Sequence, residues 1–249
     1  MNHTLEAERI KLRQQKPLVL CLTNYVTMDF TANCLLSIGA APIMSECLTE
    51  IRELLEISSA LYLNLGTLNP HFLERAQYAA ECAQILNKPV ILDPVGAGAS
   101  KTRTRAARSF LPYASIVRGN ASEIMALTDE NYASAGVESI HQVGDAQHSA
   151  DNLAKQHQNV IVISGAEDYI TDGNQNILQT DGHPLMSRIT GMGCSLTAVI
   201  AAFCTLGSSY FNAAHNAVSF FNQAGSRAAL KTSVPGTFKV MFIDALYQI

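Results

Sequence analysis

The chain has no tryptophan, only 17 lysines and arginines against 21 aspartates and glutamates, and no C-x-x-C pair among its six cysteines. Each scarcity removes a class of function. With a net charge of −4 and its cations scattered, the chain has no basic stripe for a phosphate backbone, so nucleic acid is not an expected partner. The cysteines (Cys21, Cys34, Cys47, Cys82, Cys194 and Cys204) are dispersed, mostly within apolar patterns, and this usage points to a reduced, cytoplasmic setting. The longest apolar run, after Cys194, is too short to cross a bilayer. Residues 1–16 mix Glu6, Glu8, Arg9, Lys11 and Arg13 with few apolar positions, so neither a signal peptide nor a membrane segment is expected. No glycine fingerprint follows the first strand-like run, which argues against a dinucleotide enzyme. The seven histidines show no metal-ligand spacing. With no repeat, low-complexity tract or linker, residues 1–249 read as one domain.

What the chain has is alternation. Nearly continuous apolar runs at 18–23, 60–65, 90–93, 116–118 and 160–164 predict strands buried on both faces. Between them, 3.6-residue periodicity predicts helices over 28–38, 49–58, 71–86, 102–111 and 122–127. This is the order of an α/β fold with a mostly parallel sheet. After Ser164 the pattern changes: 169–173 and 177–182 alternate and carry Asp-Gly turns, predicting an antiparallel hairpin. From Cys194 onward the chain reads as mostly helical, with a break at Pro235-Gly236.

In such a sheet, function collects at the carboxyl ends of the strands. Those ends carry Asn24, Asn64-Leu65-Gly66-Thr67, Asp93-Pro94-Val95-Gly96, Arg118-Gly119-Asn120 with Glu123, and Ser164-Gly165. The segment Gly191-Met192-Gly193-Cys194-Ser195 opens a further helix, whose unpartnered first-turn amides and positive dipole end suit a phosphate. Asp93 and Glu123 offer the hard oxygens that Mg²⁺ takes, and Arg118 a fork for phosphate oxygens. Taken singly, each has a structural reading. Asp93 before proline can start a turn, Asn120 with Glu123 makes a capping box, and Cys194 can be a small buried hydrophobe. Their convergence on one sheet edge favours a site.

These motifs, taken in order with Pro17-Leu18-Val19, Thr23-Asn24, Phe30–Leu36, Asp168-Tyr169-Ile170-Thr171-Asp172-Gly173 and Gly191-Met192-Gly193-Cys194, resemble the hydroxyethylthiazole kinase family from about Pro17 to Leu246. The resemblance implies a ribokinase-like three-layer α/β/α sandwich. It also implies phosphorylation of the primary alcohol of 4-methyl-5-(2-hydroxyethyl)thiazole by ATP with Mg²⁺, in thiamine salvage. By the same resemblance Met44 and Gly191, with Asn24, contact the thiazole, while Arg118, Ser164 and the Gly193 turn hold ATP. Asp93 and Glu123 serve the magnesium and its waters. Cys194 stands where most ribokinase-like enzymes carry an aspartate base. A homotrimer with sites between subunits is implied, Asn24 and Met44 coming from a neighbour. Met192 and Ser164 replace threonines, and Leu20 a histidine, of the family pattern. The alternative left open is a kinase of another small heterocyclic or sugar alcohol on the same scaffold.

Overall fold

The structure, a computed structural model, describes residues 3–128 and 143–249. In chain order its elements are α1 (His3–Gln15), β1 (Leu18–Leu22), α2 (Met28–Ile38), β2 (Ala41–Ile43), α3 (Ile51–Ile57), β3 (Ala60–Asn64), α4 (Pro70–Ile85), β4 (Val90–Asp93) and α5 (Lys101–Phe110). They continue as β5 (Ile116–Gly119), α6 (Ala121–Thr128), α7 (Val143–His157), β6 (Val160–Ile163), β7 (Asp168–Thr171), β8 (Asn176–Gln179), α8 (Met192–Phe203), α9 (Tyr210–Ala229) and α10 (Pro235–Gln248). The eight strands form one sheet in the order β2-β1-β3-β4-β5-β6-β7-β8, parallel through β6, with β7 and β8 antiparallel.

The two-residue period of the strands divides their side chains between two cores. Val19, Cys21, Tyr62, Ile91, Ile116 and Val162 face α2, α8, α9 and α10. Their neighbours Leu20, Leu61, Leu63, Leu92, Val117 and Ile161 face α3 to α7. Because both faces are covered, the strands carry no polar alternation, and the architecture is the expected α/β/α sandwich. Helix α8 is the most enclosed, with ten of its twelve residues buried, as its unbroken apolar character requires.

Three elements differ from the sequence reading. Helix α1 had no predicted counterpart, since among its described residues Leu5 and Leu12 are the buried apolar ones while Ile10 is 46% exposed. Strand β2 is three half-buried residues with a central Pro42, tolerated because the strand lies at the sheet edge. Helix α7, polar over most of its length, was also unanticipated. Pro235 begins α10 rather than breaking a helix, a position where its missing N–H costs nothing.

Candidate active site

Strand order reverses between β1 and β3, since β2 lies to one side of β1 and β3 to β8 to the other. The crevice beyond the carboxyl ends at such a reversal is where open α/β sheets bind ligands. Here it is floored by a buried amide chain. Asn24 Nδ2 donates to Asn64 Oδ1 at 2.8 Å, Asn64 Nδ2 donates to the Tyr62 hydroxyl at 2.8 Å, and Asn24 Oδ1 accepts from the Thr27 N–H and hydroxyl. Asn24 Nδ2 also reaches Cys194 Sγ at 3.5 Å. Asn24 is only 3% exposed, so its place beside Cys194 is built within its own subunit and requires no neighbour.

Helix α8 enters this crevice from below. Gly191 is its N-cap at φ +97°, in the left-handed region open chiefly to glycine, and a Cβ there would lie 3.0 Å from Thr27 Cγ2. The first α8 hydrogen bond runs from the Ser195 N–H to Gly191 O at 2.8 Å, and the Met192 N–H turns back to Ile189 O at 3.4 Å. The anion cradle read from residues 191–194 therefore narrows to the amides of Gly193 and Cys194. Gly193 is needed for a different reason from Gly191. The Arg118 guanidinium lies across it, and a Cβ would come within 2.8 Å of Arg118 Cζ. Arg118 also donates to the Ser164 hydroxyl and stands 3.8 Å from Asp93 Oδ2. Arg118, Ser164 and Gly193 line one cleft of about 660 Å³ with Asp168, Met186 and Leu196.

Asp93 is fully buried and pairs in register with Asn64 across β3 and β4. Its Oδ2 accepts from the Thr197 hydroxyl at 2.9 Å, while Oδ1, with the Asn64 amide nearby, has no partner within hydrogen-bond distance among the described residues. Burial raises its pKa to about 7 against the opposing pull of Arg118, and the charge of Glu123 adds to the rise. Glu123 does form the capping box, accepting the Asn120 N–H at 2.9 Å while Asn120 caps the Glu123 N–H at 2.8 Å. Its other oxygen accepts the Gly96 N–H at 2.9 Å, tying the β4 loop to the β5 loop. The Cys194 thiol is pushed up by burial and by the Asp93 charge.

Met44 lies apart from the cleft, in a smaller cavity of about 240 Å³ with Thr23, Tyr25, Met28, Phe72 and Arg75. Asn24 adjoins Thr23 and Tyr25 of this cavity in the chain, Cys194 adjoins Gly193 of the larger cleft, and the 3.5 Å contact between them links the two. Leu20 is buried in the α3–α7 core and does not line either one. Two builders of the site went unread in the sequence. Thr197 is the hydroxyl one turn beyond Gly193. Arg103 donates to the carbonyls of Leu65, Gly66 and Val95, clamping the loops after β3 and β4. A hydroxyl inside an apolar helix and a cation just after the glycine-rich turn are the signals that could have found them.

The hydroxyethylthiazole kinase family model matches residues 10–249. A hydroxyethylthiazole kinase from Chlamydia caviae is 46% identical over 239 residues, covering 95% of this chain and 91% of the relative. The structure of the hydroxyethylthiazole kinase protein from Pyrococcus horikoshii OT3 superposes with a TM-score of 0.92 at 34% identity, covering 99% and 93% of the two chains. A ribokinase-like superfamily protein from Enterococcus faecalis, 12% identical with a TM-score of 0.67 over 96% of this chain and 88% of its own, shares the fold. The family model and the relatives span nearly the whole chain, and the protein belongs to the hydroxyethylthiazole kinase family.

Proposed function

We propose that this enzyme transfers the γ-phosphoryl group of ATP to the primary alcohol of 4-methyl-5-(2-hydroxyethyl)thiazole, in thiamine salvage. The observation that carries the reading is the Asn24–Cys194 contact, which links the chain beside a ring-sized, largely apolar cavity to the chain beside a cleft that holds Arg118. The thiazole sits against Met44, its hydroxyethyl arm passing Asn24 and Gly191 towards Cys194. ATP lies in the larger cleft, its terminal phosphates against Arg118, Ser164 and the amides of Gly193 and Cys194. Phosphoryl transfer has a loose transition state, so positioning and charge stabilisation carry most of the rate, and a base is needed only late. The thiolate form of Cys194 accepts the alcohol proton at that stage.

Among the described residues Asp93 Oδ1 has no partner within hydrogen-bond distance and each Glu123 oxygen accepts one N–H, so both retain lone pairs suited to Mg²⁺ and its waters. Among the described residues no group of three or more His, Cys, Asp or Glu side chains forms a metal cage. Two carboxylates, with nucleotide phosphates and water, are what this chain offers the ion. When bound, Mg²⁺ supplies charge neutralisation between the phosphates.

The chain acts as one kinase domain over residues 1–249. Its six free thiols support a cytoplasmic setting. The active assembly is a homotrimer in which a neighbouring subunit closes the Met44 cavity, a reading supported by Tyr25 and Val26, 56% and 71% exposed at that edge. Light scattering with substrate present should report three subunits, and a fully active monomer at high dilution would contradict it.

ATP consumption with the hydroxyethylthiazole, compared with pyridoxal, pyrimidine and sugar alcohols, tests the activity. The thiazole should give the highest kcat/KM. Preference for another heterocycle or a sugar would instead support the broader reading of a ribokinase-like alcohol kinase.

A further inference from the structure

Resting on the reading of Cys194 as the group that takes the alcohol proton, we propose that Asn64 is a positioning residue for the transfer: through Asn24 it fixes which way a hydrogen bond meets the Cys194 sulfur. Asn64 is fully buried at the carboxyl end of β3 and lines neither cavity, so it acts on the reaction without touching a substrate.

Two backbone donors set the direction of the amide chain. The Gly66 N–H can meet only an acceptor, and it meets Asn64 Oδ1 at 2.9 Å. The peptide carrying this N–H is held from its other side, since Leu65 O accepts from Arg103 Nη1 at 2.8 Å. With its oxygen so assigned, Asn64 takes a donor from Asn24, whose Nδ2 lies 2.8 Å away. The Thr27 N–H, 3.0 Å from Asn24 Oδ1, requires the same orientation independently. One Asn24 Nδ2 proton goes to Asn64 and the other to Cys194 Sγ at 3.5 Å, so the sulfur is the acceptor in this bond. The loop is closed tightly around the chain: a Cβ on Gly66 would lie 2.8 Å from Asn24 Cβ and 2.9 Å from Asn64 Oδ1. The remaining side of Asn64 is occupied too, its Nδ2 donating to the Tyr62 phenol at 2.8 Å and standing near Asp93 and Cys194.

The direction decides what the sulfur can do. An N–H aimed at sulfur leaves the S–H proton to other partners and stabilises the charge once that proton is gone. An amide oxygen in the same place would bind the S–H proton and repel a thiolate. Thr27 holds the Asn24 oxygen and Asn64 holds its nitrogen, so loss of Asn64 lets the amide swing off the sulfur.

The test is a double-mutant cycle in steady-state kinetics with ATP, Mg²⁺ and the hydroxyethylthiazole. Asn64→Ala should lower kcat by about tenfold, the upper end for one hydrogen bond, with KM for both substrates changed by less than about twofold. In Cys194→Ala, where the sulfur it serves is gone, the same substitution should cost about twofold or less. Asn64→Leu fills the volume should the alanine variant fold poorly. Asn64→Asp keeps an oxygen for Gly66 and Asn24 and lets the Tyr62 hydroxyl donate, so it should restore most of kcat. A full loss that persists in Cys194→Ala would place the effect of Asn64 on Asp93 or on the fold and overturn the proposal. A loss carried by KM, or an aspartate variant no better than alanine, would overturn it as well. If Cys194→Ala itself costs nothing, Cys194 takes no proton and the proposal falls while the kinase reading stands. An unaltered chain that fails to phosphorylate the thiazole sinks both.

Discussion

Cys194 occupies the first turn of α8, where the helix end and Arg118 favour a thiolate, but burial and Asp93 outweigh them and its pKa rises. At neutral pH the side chain is almost entirely the thiol, and only its small thiolate fraction can accept the alcohol proton, for a step that needs its base late. Turnover of the wild type should therefore keep climbing as pH passes 9, the thiol's ordinary value. The pH–rate profile of Cys194→Asp, whose carboxylate ionises at lower pH, should level off earlier, with neutral-pH turnover at least equal to the parent. Cys194→Ser should keep substantial activity. A loss near the upper end of the roughly 10²–10⁴-fold worth of general-base help would make the thiolate indispensable. Asp93 and Glu123 separate in a different measurement. With its carboxyl raised to about 7, folded Asp93 holds a proton that the unfolded chain has released above about pH 4, so it withdraws stability as pH rises from about 4 to about 7. Asp93→Asn should hence melt a few degrees higher at pH 8, taking about 2–4 °C per kcal/mol for a chain of this size, and gain less at pH 5. Its turnover should fall by about 100-fold or more, as for loss of one charge-stabilising contact. Glu123→Gln should also lose turnover but melt lower at both pH values, because one of the two N–H groups it satisfies loses its acceptor. An unchanged turnover in both variants would remove these carboxylates from the site.

At the scale of elements, the α8 entry joins two glycines with separate duties. Gly191→Ala forces a left-handed backbone on a residue with a Cβ and presses on Thr27, so it should cost about 1 kcal/mol or more of stability, readable in a melt. Gly193→Val should leave the fold nearly intact but displace Arg118, raising KM for ATP while the melt barely moves. The opposite pattern, with Gly193→Val fully active, would separate Arg118 from the nucleotide. From sequence, both glycines read alike, as part of one helix-opening segment with room for a phosphate. Only the structure shows a guanidinium in that space, because a contact between β5 and α8 has no local signature. The doubly buried strands were legible for the converse reason, since cover on both faces removes polar residues from them. Helix α2, predicted over 28–38, matches its observed bounds because its apolar spacing is set by the core it meets. Helix α1, anchored at few positions, and β2, a short proline-bearing edge, carry too little burial to imprint a period.

For the whole molecule, the sandwich places its ligands by topology. Alternate residues of each strand hold the two helical layers, which leaves only the strand ends free for chemistry, and the reversal between β1 and β3 opens the crevice there. The list of polar strand ends was readable in the chain. Their partition into a ring pocket and an anion cleft was not, because the contact that joins the two, Asn24 with Cys194, lies between residues far apart in the chain. That partition is the central claim, and a bisubstrate analogue tests it: adenosine joined through a short polyphosphate to the hydroxyethylthiazole. The account predicts inhibition competitive with both ATP and the thiazole alcohol, tighter than either alone, and weakened separately by Arg118→Ala and by Met44→Ala. Competition with only one of the two substrates would mean that the pockets are not halves of one phosphoryl-transfer site.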